Sequence, residues 1–148
     1  MNDEYFMRQA IALAKEAAEE GEVPVGAVVV FDGKIVGKGR NRREISKNAL
    51  AHAEIEAINE ACRALGGWRL WQCDIYVTLE PCPMCTGAII NSRIKRLVYG
   101  ASDYKAGSCG SVIDLFSLPY NHKPEVAKGV MQEECAAVSY THLRAHET

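Results

Sequence analysis

The chain has 148 residues, 48% of them hydrophobic, and a formal net charge of −2. That is enough apolar material for one domain with a single core. It excludes a wholly basic nucleic-acid binder, and no run of about 18 apolar residues is present for a membrane-spanning helix.

The acidic start Met1-Asn2-Asp3-Glu4 is not followed by a basic-then-apolar export signal, so a cytoplasmic protein is expected. Its six cysteines (Cys62, Cys73, Cys82, Cys85, Cys109 and Cys135) are then expected to be reduced, with the close pair reserved for metal. Charge is unevenly spread. Lys34, Lys38, Arg40, Arg42, Arg43 and Lys47 cluster, whereas Glu16, Glu19, Glu20 and Glu22 sit together upstream. A local basic surface or two merely solvated faces would both read this way.

Phe6, Ala10, Leu13 and Ala17 recur at helical spacing, with Asp3 predicted to cap the helix and Gly21 to end it. Val25–Val30 reads as a buried strand, and Asp32-Gly33 is a hairpin turn that returns Lys34–Lys38 antiparallel beside it. Arg40–Asn48 is polar and predicted to be a loop. Ala51–Leu65 is rich in helix formers and stops at Gly66-Gly67. Ile75–Leu79 is a short strand, and Pro81 and Pro83 open a helix that runs to about Asn91. Leu97–Tyr99 is a further strand. A loop over Ser102–Gly110, a short helix around Val112–Leu118, an edge strand at Pro124–Lys128 and a last helix starting over Met131–Ala137 complete the chain. Alternating strands and helices predict an α/β fold, one sheet covered on both faces.

The chemistry concentrates in two stretches. Cys82 and Cys85, at Cys-x-x-Cys spacing, and His52 about thirty residues upstream offer the soft and borderline ligands that a catalytic zinc prefers. Three ligands leave a fourth position for water, and Glu54 is close enough to handle that water's proton. With one imidazole and two thiolates the zinc complex carries no net charge, yet it brings the water's pKa toward 7. His52 and Glu54 differ by two residues, roughly 200° of rotation in mid-helix. Both reach one site only if the first turn points end-on into the pocket, so two helix N-termini are predicted to meet at the metal. Two other readings of the thiols stand beside this one. Cys-x-x-Cys can be a redox dithiol, or a structural zinc could take Cys109, Cys73 or His122 as a fourth ligand.

Glu22-Val23-Pro24-Val25-Gly26-Ala27-Val28, Ala51-His52-Ala53-Glu54, Tyr76-Val77-Thr78-Leu79-Glu80-Pro81-Cys82, Ser92-Arg93-Ile94, Val98–Asp103, Gly110-Ser111 and Asn121-His122 together resemble the bacterial tRNA-specific adenosine deaminases. The resemblance covers residues 4–137. It implies a three-layer α/β/α, cytidine-deaminase-like fold with a central mixed sheet of about five strands. It also implies conversion of adenosine to inosine at the wobble position of tRNA anticodons by a homodimer. His52, Cys82 and Cys85 would hold one Zn2+ per subunit and Glu54 would shuttle protons. Asn41 would hydrogen-bond the flipped purine, and Val25 and the Ala53 backbone would line the pocket. Asp103, Lys105, Asn121 and Arg42 match positions near the RNA loop, and Arg42 beside Arg43 suits phosphate.

Cytidine and guanine deaminases share the metal motif, so a deaminase of a free base or nucleotide is the second reading. A zinc-stabilised RNA-binding subunit without catalysis is the third, and it would have no need of Glu54. The tail departs from the family. Val138–Thr148 resembles translated adapter read-through more than evolved sequence, so the deaminase domain is expected to span 1–137, and His142 and His146 are not counted as ligands. A truncated last helix would uncover apolar surface and weaken the grip on RNA.

Overall fold

In the computed structural model, residues 2–147 are described, with side chains through residue 140. The elements run α1 (Asp3–Glu19), β1 (Gly26–Phe31), β2 (Lys34–Arg40), α2 (Arg43–Ser46), α3 (Ala53–Leu65), β3 (Cys73–Leu79), α4 (Pro83–Asn91), β4 (Arg96–Ala101), β5 (Glu125–Lys128) and α5 (Gln132–Glu147). The strands form one mixed sheet in the order β2-β1-β3-β4-β5, antiparallel from β2 to β3 and parallel from β3 to β5.

Side chains alternate across the sheet, as the period of two in a strand requires. Ala27, Val29, Ile75, Val77, Leu97 and Tyr99 face α3 and α4, where Ala53, Ala57, Ala61, Ile89 and Ile94 complete one core. Val28, Val30, Tyr76 and Val98 face the other way, onto Phe6, Met7, Ala10 and Ile11 of α1 and Cys135 of α5. The result is the expected α/β/α sandwich. Among the described residues, no helix is long and apolar enough to cross a membrane.

The hairpin turn is where its sequence puts it. Asp32 and Gly33 both take positive φ, 51° and 75°, the pairing a two-residue primed turn demands. The start of α1 is a correction. Asn2, not Asp3, is the cap, its side chain accepting from the Tyr5 N–H at 3.0 Å. Asp3 is thereby free to accept from both Arg96 guanidinium nitrogens (2.9 and 2.6 Å) and from the Tyr76 hydroxyl (2.7 Å). The Arg96 bonds hold its carboxyl below the usual range and tie the first turn of α1 to β3 and β4.

Two predicted boundaries also move. The 40–48 stretch is not all loop, because the buried Glu22 carboxylate accepts from Glu44 N (3.1 Å) and Ile45 N (2.7 Å) and stabilises the single turn α2. The predicted helix at 112–118 shrinks to a 3-10 turn, Leu115–Ser117, because a tight reversal between Cys109 and Asp114 uses up its first residues. Helix α5 continues past residue 137 without a break, Val138 packs against the α1 side of the core, and the Tyr140 hydroxyl donates to the Ser102 carbonyl at 3.2 Å. The side chains of His142 and His146 lie outside the described set.

Strand β2 lies very close to α3. A methyl group on Gly39 would run into the carbonyl of Ala53, and one on Gly37 into that of Ala57, backbone atoms that cannot rotate away. Gly39→Ala is therefore expected to cost about 3 kcal/mol, the upper end of overpacking penalties. Gly87→Ala in α4 meets open space and should instead gain about 0.5–1 kcal/mol. Denaturant midpoints of the two variants check this; equal midpoints would contradict the close approach.

Candidate active site

His52 is the N-cap of α3 and Cys82 the N-cap of α4, and neither uses its side chain to cap its helix. Both have extended backbone, with ψ of 152° and 175°, so their side chains leave the helices end-on. His52 therefore escapes the helical rotation that would separate it from Glu54, which sits one step inside α3. Pro83 occupies the first turn of α4 and costs nothing there, since its missing N–H would have no partner. Cys85 follows in the same turn, fully buried.

The His52 Nδ1 atom lies 3.6 Å from Cys82 Sγ and 3.5 Å from Cys85 Sγ, and the three atoms all fall within 4.8 Å of one another. A tetrahedral centre with metal–sulfur bonds of about 2.3 Å and metal–nitrogen bonds of about 2.0 Å has ligand-to-ligand edges of roughly 3.5–3.8 Å. The three residues thus fit one face of such a centre and can hold a metal ion. None of the alternative fourth ligands joins them among the described residues. Cys109 Sγ rests against the Thr86 hydroxyl at 3.3 Å, the His122 ring meets the Ile94 carbonyl at 2.6 Å, and Cys73 is buried in the core at the start of β3.

Of the three candidate ligands, electrostatics favours the metal-binding form of Cys82 alone. Hydrogen bonds from Cys85 and then His52 hold the Cys82 thiol down at about 4. The same shared hydrogen bond with Cys82, followed by burial, pushes Cys85 up, and the contact with Cys82 raises His52. Glu54 is 4% exposed, and its burial lifts its carboxyl to about 7. That is the range in which a carboxyl group can both accept and return a proton near neutrality.

His52, Glu54 and Cys82 open onto a cavity of about 180 Å³ whose wall also includes Val25, Asn41, Ala53 and Asp103. The Asn41 N–H donates to the Val25 carbonyl at 3.1 Å, which joins two of the predicted wall residues. The Asn41 side-chain oxygen is buried with no hydrogen-bond partner among the described residues. A buried acceptor left in this state is costly unless a ligand donor meets it.

Three predicted positions fall elsewhere. Arg42 is outside the cavity wall because Glu56, one turn into α3, captures its guanidinium at 3.0 Å; Arg43 lines the cavity instead. Lys105 lies on an adjoining cavity of about 290 Å³ shared with Asp103, Tyr104 and Tyr140. Asn121 is exposed and lines neither cavity.

The sequence reading also passed over two buried carboxylates, Glu22 and Glu80. Glu22 supports the loop that follows Asn41, as described above. Glu80 accepts from the backbone N–H groups of Asp103 (3.1 Å), Cys109 (3.0 Å) and Ser111 (3.1 Å), and from the Ser111 hydroxyl. The one local signal for Glu80 is an acidic residue set between the end of a mostly apolar strand and Pro81.

A family model described as MafB19-like deaminase matches residues 1–134. The chain belongs to this deaminase family. The deaminase is 49% identical over 137 residues to the tRNA-specific adenosine deaminase of Bacillus subtilis (strain 168), covering 92% of this chain and 85% of that one. It is also similar to a structure solved in a study of A-to-I editing by tRNA:A34 deaminases at the wobble position of transfer RNA. There the TM-score is 0.88 and the identity 46%, over 90% of this chain and 98% of the other. Likeness to the guanine deaminase structure from Bacillus subtilis is weaker in shape, with a TM-score of 0.68 at 42% identity over 79% of this chain and 74% of that one.

Proposed function

We propose that the deaminase hydrolyses the C6 amino group of adenosine at the wobble position of a tRNA anticodon, giving inosine and ammonia, with one zinc ion per subunit. The observation that carries this reading is the convergence of His52, Cys82, Glu54 and Asn41, whose side-chain oxygen is unsatisfied, on one small cavity, with the Cys85 sulfur completing the ligand triangle. The tRNA-specific relatives support the choice of substrate.

His52 Nδ1 and the two Sγ atoms hold the zinc. When bound, the ion supplies a Lewis acid that makes hydroxide available at neutral pH. Glu54 takes a proton from the attacking water at a side-chain oxygen and returns it to the departing amino nitrogen. Burial around Glu54 keeps bulk water from competing for that proton. Asn41 Oδ1 accepts a hydrogen bond from the base, and Val25 and the Ala53 backbone hold the ring flat. At about 180 Å³ the cavity is smaller than the ~300–1,000 Å³ pockets that take drug-sized ligands, which suits a single base. The base must leave its stack to enter, and an unpaired anticodon loop makes that cheaper than a duplex does. Arg43 and Asp103 at the cavity, Lys105 on the one beside it, and Arg42 and Asn121 outside both walls contact the rest of the loop.

In this reading residues 1–137 are the deaminase domain, 138–148 are foreign to it, and the protein works in the cytoplasm as a homodimer. Exposed Ile45, Leu50, Val112 and Ile113 supply apolar surface for such a partner.

A deaminase of a free base or nucleotide, guanine or cytosine, is the second reading, favoured by the guanine deaminase likeness. One assay separates the two. The protein is incubated with an anticodon stem-loop carrying a wobble adenosine and, in parallel, with free adenosine, guanine and cytidine. Inosine in the stem-loop, read as guanosine on reverse transcription, is expected. Conversion of a free base alone would overturn the tRNA reading.

A further inference from the structure

We propose that Glu80 is a positioning residue for the RNA substrate, holding the 103–111 loop against the cavity through hydrogen bonds to its buried carboxylate. This rests on the tRNA reading and adds to it a residue that need not touch the reacting atoms.

Glu80 links the end of β3 to Pro81 and the metal-ligating Cys82, and is only 2% exposed. A carboxylate buried this deeply is unfavourable unless its oxygens are hydrogen-bonded. Here every donor comes from one loop. Oε1 accepts from Asp103 N and the Ser111 hydroxyl, and Oε2 from Cys109 N and Ser111 N. The loop also closes on itself through Gly107 N to Asp103 O at 2.8 Å, and on the ligand turn through Ser108 N to Pro81 O at 2.9 Å. It winds so tightly that a methyl group on Gly107 would strike both the Glu80 carboxylate and the Asp103 carbonyl.

A carboxylate serving only the fold would tie core elements together. This one ties a surface loop whose residues Asp103 and Ala106 form part of the active cavity, and whose Tyr104 and Lys105 line the cavity beside it. Releasing the loop therefore moves the substrate wall and leaves His52, Cys82, Cys85 and Glu54 on their own helices.

The test uses Glu80→Gln and the milder Ser111→Ala. The amide of Glu80→Gln turns an N–H toward N–H donors, and Ser111→Ala removes one donor without burying a new group. Glu80→Gln is expected to raise KM for the stem-loop about tenfold, the scale of one charge-assisted hydrogen bond. Ser111→Ala should raise it severalfold, with kcat falling less than about threefold in each, the pattern of lost substrate binding. Metal content should match the wild type. The double variant should be no worse than Glu80→Gln alone, because both changes break one contact network. Amide hydrogen exchange at Cys109 and Ser111 should accelerate in both single variants.

Unchanged KM, a fall in kcat at constant KM, or additive effects would overturn the proposal. Should Glu80→Gln not fold, Ser111→Ala decides it. If the wild type does not convert the stem-loop, the tRNA reading fails by itself. Exchange at Cys109 and Ser111 still judges the loop contact, and unaltered protection there overturns it.

Discussion

Glu54→Ala is expected to lower turnover of the wobble-adenosine stem-loop by about 10²–10⁴-fold, the usual contribution of a positioned acid–base group, while the protein keeps its metal. The expectation follows from the separation of roles at the start of α3. His52, at the N-cap, reaches the two sulfurs. Glu54 contributes none of the three ligand atoms and instead forms part of the cavity wall beside them. Removing its carboxyl deletes the proton carrier and leaves the ligand triangle in place. Because Glu54 is buried, Glu54→Gln is the companion variant that preserves volume and avoids a cavity. It should lose activity to a similar extent, since an amide cannot carry the proton. Elemental analysis and initial rates on the same preparation make the measurement. Activity comparable to the wild type in either variant would remove Glu54 from the mechanism.

Cys82→Ser should have the larger effect on the whole molecule. A hydroxyl does not ionise as a thiol does, and it is a poor partner for a metal that selects soft ligands. The Cys82 thiol sits at the N-terminus of α4 with its ionised form already favoured, so the substitution removes the most acidic of the ligand sulfurs. The metal-to-protein ratio is expected to fall from one toward zero and turnover to background. Binding to the native state alone at ~1,000 times Kd contributes about 4 kcal/mol of stability, and its loss lowers the melting temperature of a domain this size by roughly 10 °C. A chelator gives the control, shifting the wild type by a similar amount and leaving Cys82→Ser unmoved. A full complement of metal in the variant would contradict the ligand set.

The parts of the site legible in the sequence are those whose geometry is local. Cys82 and Cys85 are spaced to share a helix start, Pro83 marks that start, and His52 and Glu54 open the preceding helix, made of strong helix formers. Each of these relations spans fewer than five residues, so spacing alone places the side chains relative to their own backbone. Asn41, Val25 and Ala53 came with the family resemblance and meet at the same cavity. Arg42 and Arg43 show the limit. They are adjacent and chemically identical, and only Glu56 on the neighbouring helix determines that Arg42 is engaged elsewhere and Arg43 faces the cavity.

The same limit explains the misplaced elements. Asn2 and Asp3 are both competent caps, and Arg96, some ninety positions away, draws Asp3 into an ion pair. Residues 43–46 have little tendency to form a helix alone, yet the buried Glu22 carboxylate supplies acceptors for the free N–H groups of Glu44 and Ile45.

By itself, then, the sequence determined the alternation of strands and helices, the hairpin at Asp32-Gly33, and the placing of His52, Glu54, Cys82 and Cys85 at two helix starts, because periodicity, turn chemistry and residue spacing act over one or two turns of chain. Only the tertiary structure decided how the cavity wall is held. The acceptors that fix its two loops, Glu22 and Glu80, meet donors more than twenty residues distant. A buried carboxylate takes whichever N–H groups the packed sheet and helices bring to it, and no local pattern names them in advance.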